Sequence, residues 1–84
     1  DEAQEIAQIA SEFAMINRSG AWYTMQCLID NQEDPMIKSW ILENEVEDVE
    51  RAFKFQGMEK VTNFLEENPQ MCDFIYQQIR EIFI

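Results

Sequence analysis

The sequence predicts an α+β domain, mostly helical: an N-terminal helix, a short antiparallel β-sheet or hairpin, and two C-terminal helices. Three observations predict it. Apolar residues recur at helical spacing near both ends of the chain, an aromatic and β-branched run follows the first of these stretches, and Asp-Pro and Asn-Pro pairs mark helix starts further on.

Ile6, Ile9, Ala10, Phe13 and Ile16 follow the i, i+3, i+4, i+7 pattern, with Glu5, Gln8 and Glu12 off the stripe, so residues 3–17 read as a helix. Asn17-Arg18-Ser19-Gly20 reads as its stop, because Asn and Gly tolerate the left-handed backbone that ends helices. Residues 21–29, Ala-Trp-Tyr-Thr-Met-Gln-Cys-Leu-Ile, then read as a strand. Asp34 is placed to cap a helix that Pro35 opens. Met36, Ile37, Trp40 and Ile41, then Val46, Val49 and Phe53, extend helical spacing over residues 35–51, with a break near Asn44, although 39–42 also fits a short strand. Lys54-Phe55-Gln56 reads as an edge strand pairing with residues 21–27 before Gly57 turns the chain. Met58, Val61, Phe64 and Leu65 give one face of the next helix. Asn68-Pro69 caps and opens the last one, striped by Met71, Ile75, Ile79 and Ile82 and widened by Phe74 and Phe83.

Length and composition bound the function. The 84 residues allow one core and one domain, and 46% apolar content is enough to fill it. No apolar run is long enough to span a bilayer. The start at Asp1, without an initiator Met, reads as a piece excised from a longer protein. Six bases against 17 acids give a net charge of −11, an obstacle to any contact with nucleic acid. The acidity is concentrated: residues 26–52 hold eight of the acids and two of the bases.

Chemistry-bearing motifs are absent from the sequence. It has no histidine, no GxxxxGK[ST] phosphate loop, no GxSxG and two glycines in all, so neither phosphate cradling nor nucleophilic catalysis is expected and the domain reads as non-enzymatic, with no cofactor. Cys27 and Cys72 form no CxxC or Cys/His cluster; no metal site is expected, and the two thiols read as buried, reduced core residues of a cytoplasmic protein rather than a disulfide. Glu43, Glu45, Glu47, Asp48 and Glu50 lack calcium-loop spacing and its glycine, and read as a solvated helix face with Glu47 and Arg51 as an i, i+4 pair. Trp22, Tyr23, Trp40, Phe53 and Phe55 are suited to stacking on bases and equally to core packing; at this charge they read as core.

Two segments carry a resemblance. Glu5-Ile6 through Phe13, followed by Ile16-Asn17-Arg18-Ser19-Gly20-Ala21-Trp22-Tyr23, resembles the helix and basic-small-Gly-Ala-Trp-Tyr strand that open the C-terminal domain of bacterial RecA recombinases. Phe55-Gln56-Gly57-Met58-Glu59-Lys60-Val61, Phe64-Leu65-Glu66-Glu67-Asn68-Pro69, and Ile75 with Ile79-Arg80-Glu81-Ile82 are similar to that family's GQG, fLxeNPel and IRe ending, in the same order. Roughly two-thirds of the chain is covered. Two departures stand out: Phe55 replaces the first Gly of GQG, and where the family joins two strands by a tight hairpin this chain inserts the acidic block between Met25 and Lys54. Such an insertion suggests a divergent RecA of bacterial or phage type.

The resemblance implies a regulatory domain on the outside of a recombinase filament, which helps capture incoming duplex DNA and modulates strand exchange in recombination and repair. Its parent would be a DNA-dependent ATPase whose catalytic core precedes Asp1. The implied partners are double-stranded DNA, bound weakly, the RecA-like core and neighbouring filament protomers, without membrane or metal. Arg18 matches the family's duplex-contacting basic residue, and Lys54 and Lys60 flank the second motif; the alternative for all three is a surface base balancing nearby acids. The carboxylates of 43–50 are expected to compete with phosphate for these bases and act as a brake. A competing reading is a protein-interaction module in which Trp40, Ile41 and the acidic helix dock onto a neighbouring protomer or a basic partner; a third is an acidic DNA mimic, in which Arg18 plays no part.

Overall fold

Asp1 starts the first helix by accepting the Ala3 amide on Oδ1 at 3.2 Å, and Glu2 and Glu5 add negative charge to the first turn, where the helix dipole favours it. In the computed structural model, which describes residues 1–83, this helix (α1) spans Glu2–Glu12. It ends well before the predicted limit of residue 17. Ala14 turns left-handed at φ 61°, the Met15 amide reaches back to the Ala10 carbonyl at 2.9 Å, and the Ala14 amide reaches Ser11. That is a Schellman ending built on alanine, where glycine is the usual signal.

The residues read as a stop are themselves a strand, β1 (Asn17–Ser19). It pairs antiparallel with β2 (Trp22–Thr24), Arg18 opposite Tyr23. Gly20, at φ 62°, makes the turn between them. The strand expected over 21–29 stops at Thr24, and Gln26–Asp30 form a short helix, α2. Tertiary contacts override the local preference: the Cys27 amide donates to the Met15 carbonyl at 3.0 Å, and Leu28 is fully buried.

Asp34 caps α3 (Pro35–Glu43) as the sequence predicts, its Oδ2 accepting from the amides of Met36 and Ile37. The break near Asn44 is a second Schellman ending, with Glu45 at φ 50° and Val46 N–H bonded to Ile41 O at 3.0 Å. The helix resumes only as α4 (Val49–Ala52), capped by Asp48. Residues 39–42 are helical. Lys54–Gln56 form β3, which pairs antiparallel with β2 at the far edge of a three-stranded sheet ordered β1-β2-β3, Tyr23 opposite Phe55.

Gly57, at φ 88°, leads into α5 (Met58–Glu67), and α6 (Pro69–Ile82) follows. Asn68 does not cap α6 with its side chain. Its Oδ1 accepts from Trp40 Nε1 at 3.1 Å, and its amide nitrogen donates to Phe64 O at 2.9 Å. The core lies between α1, α5 and α6 and continues beneath the sheet. Ala7, Ala10, Val61, Met71 and Ile75 are fully buried in the helical part, and Met25, Leu28, Ile37 and Phe53 where residues 25–53 meet it. Phe53 stacks on Trp40 at 5.2 Å, and Phe55 packs on Phe64 at 5.0 Å.

Candidate nucleic-acid interface

Strand pairing divides the sheet's side chains between two faces, because successive residues alternate. Arg18, Tyr23 and Phe55 share the face toward α5, while Ser19, Trp22, Thr24, Lys54 and Gln56 share the other. Tyr23 and Phe55 are half-buried against the core. Arg18 stands exposed at the open end of their row, its Nε donating to Gly20 O at 2.8 Å and its guanidinium 5.8 Å from the centre of the Tyr23 ring. The Gly20 bond and the Tyr23 ring hold the fork near the hairpin turn, where Arg18 is exposed.

Lys54 lies on the outer face, its ammonium 5.8 Å from the centre of the Trp22 ring. Trp22 is 44% exposed, which corrects the expectation that it packs in the core. Arg51 from the end of α4 borders the same recess as Trp22 and Lys54. Lys60, exposed on α5, borders a separate recess beside Phe55 and Phe64. The three bases singled out in the sequence therefore do not form one patch: Arg18 and Lys60 sit toward the two ends of the Tyr23–Phe55 row, and Lys54 stands with Arg51 on the opposite face. Arg51 escaped the sequence reading because its spacing assigned it to Glu47. Among the described residues no ion pair within 4 Å joins those two, and Glu47 precedes α4 rather than lying on it.

The acidic cluster is likewise not a helix face. Glu43 ends α3, Glu45 and Glu47 lie in the connection, Asp48 is the α4 cap, and only Glu50 is in that helix. Asp48 and Glu50 line an open recess of about 340 Å³ together with Thr24, Arg51 and Lys54. Two carboxylates thus border the outer basic pair, and Glu43, Glu45 and Glu47 are not among the residues lining that recess.

Cys27 and Cys72 are free and buried. Burial pushes the Cys27 thiol up to about 12, and burial with the Glu2 and Asp73 charges raises Cys72, so both hold their protons at neutral pH. Among the described residues no group of three or more His, Cys, Asp or Glu side chains is arranged to hold a metal ion, and no helix is long and apolar enough to cross a membrane. The chain matches no protein-family model, and comparison with curated proteins and with solved structures finds no match.

Proposed function

We propose that this domain captures duplex DNA as the regulatory C-terminal part of a RecA-like recombinase, making weak phosphate contacts through Arg18 on one flank of its sheet and through Lys54 and Arg51 on the other. One observation carries the reading: the two segments that resemble the family, separated by the acidic insertion, meet in one sheet, where Tyr23 pairs with Phe55. The hairpin bearing Arg18 and the strand leading to Lys60 thus belong to a single sheet, and the insertion leaves and re-enters beside it. The contacts are to phosphate rather than to base edges, since the exposed bases stand singly, Arg18 and Lys54 on short strands and Arg51 on the four-residue α4, and do not line one helix face that could enter a groove.

At net charge −11 the field opposes approach, so binding is weak and steeply salt-dependent. The brake narrows to Asp48 and Glu50, the carboxylates that border Arg51 and Lys54. In the rival reading, docking through Trp40 and Ile41, both side chains are already half-buried: Trp40 stacks on Phe53 and bonds Asn68, and Ile41 packs against the core.

Titrating the domain with a short DNA duplex at low salt, while following amide shifts, tests this. Salt-sensitive shifts at 18–23 and 51–60 are expected, reduced by Arg18→Ala and strengthened by Glu50→Gln. A silent titration, or shifts indifferent to salt, overturns duplex capture.

A further inference from the structure

A second surface lies away from the sheet. Helices α1 and α6 pack side by side in the same direction and leave between them an open groove of about 440 Å³. Its apolar wall is Ile6, Ile9, Tyr76 and Ile79, of which Ile9 is 38% and Tyr76 46% exposed, while Ile6 and Ile79 are buried at its floor. Its rim carries Glu2, Glu5 and Asp73 and no Lys or Arg, with Glu5 3.7 Å from the Asp1 ammonium. Arg80 is the one base on the two helices, and it is not among the lining residues. Where the helices end, the exposed Phe13 and Phe83 rings meet edge to face at 5.4 Å, so the apolar strip continues along the same seam.

Both helices bury a full stripe elsewhere, so these exposed side chains are surplus to the core. A groove with an aliphatic and aromatic wall at its middle and carboxylates at one end selects its occupant by chemistry. The wall takes aliphatic side chains, and the rim takes cations beside them. A second copy of this chain is a poor occupant, because a twofold contact here sets acid against acid between two molecules of net charge −11.

We infer that the α1–α6 groove is a docking site for a basic amphipathic protein segment, which seats apolar side chains against Ile9, Tyr76 and Ile79 and sets Lys or Arg beside Glu2, Glu5 and Asp73. The site is independent of the sheet and of the duplex reading.

The probe is a synthetic peptide with an Ile/Leu anchor flanked on one side by lysines, followed by amide shifts at physiological salt. Shifts confined to α1 and α6 are expected. Glu2→Gln with Glu5→Gln and Asp73→Asn should weaken binding about tenfold, and Ile9→Ser, alone, by a similar factor. Neutralising Glu43, Glu45 and Glu47, an equal loss of charge elsewhere, should leave the affinity unchanged. Equal weakening by both triple variants, or no shifts in α1 and α6, overturns the site. A dimer in sedimentation that Ile9→Ser dissolves overturns the choice of occupant. Ile9→Ser, which changes no charge, should leave the duplex titration as it was, which separates a failure here from a failure of DNA capture.

Discussion

Helices α1, α5 and α6 carry their burial in their own sequence, whereas the elements of residues 25–53 borrow theirs. Each of the first three shows a continuous apolar stripe over ten or more residues. By contrast α3 buries Ile37 alone, α4 buries nothing, and α2 is five residues long. Helices that short are marginal in water. They persist here because Met25, Leu28, Ile37 and Phe53 are fully buried, and because Trp40 is pinned to Phe53 and Asn68. Stability is spread along the helical body and concentrated at a few anchors in residues 25–53.

That contrast can be broken by single substitutions. The largest effect is expected at Phe53, where truncation to alanine empties the centre of the aromatic cluster with Trp40 and Phe64 and should cost about 3–5 kcal/mol in denaturant unfolding. Ile9→Ala on the partly exposed flank of α1 should cost well under half of that; similar costs would abolish the distinction.

Next comes Cys27 of α2. Below about pH 9 both the folded and unfolded chains keep its proton. Above that the unfolded chain releases it, while the folded protein holds it to about 12. Stability is therefore lost as pH rises through this window, by about 1.4 kcal/mol per unit. Comparing unfolding of the parent with Cys27→Ala between pH 9 and 11 isolates this slope, and parallel curves would place the thiol's titration elsewhere.

Asp34→Ala removes the acceptor for Met36 and Ile37 and should cost about 1 kcal/mol. The smallest expected effect is a gain. Glu45→Gly relieves a left-handed residue at the end of α3 and should raise stability by about 0.5–1 kcal/mol, read as a higher melting temperature.

The same contrast explains what was legible in the sequence. The stripes of α5 and α6, the Asp34 cap and the break at Asn44 followed from periodicity and capping, which are local, whereas the pairing of β3 with β2 joins segments far apart in the chain and was legible only through the strand composition of both. Left-handed endings at Ala14 and Glu45 carry no glycine to announce them, so α1 was read too long. β1 consists of Asn, Arg and Ser, all exposed, and is held by its hairpin partner rather than by propensity. In α2, Gln26 to Ile29 have strand character and are bent into a helix by Met15 and by the burial of Leu28. At the candidate site, Arg18 is singled out by the motif around it. The exposure of Trp22 and the meeting of Arg51 with Lys54 were not, since which face of a sheet a side chain takes is fixed by register.

Thr24 and Lys54 sit opposite each other in the sheet, yet residues 25–53 lie between them. The β1–β2 hairpin closes over Gly20 and Ala21 and can form within microseconds, before distant segments meet. β3 cannot join until that long loop has closed, and its entropy must be lost before the pairing is gained. During folding β2 therefore passes through an interval with one bare edge, open to the β3 of another molecule as readily as to its own. Chains folding at high concentration should exchange that strand, and the rate at which the anchors of residues 25–53 dock decides how often they do.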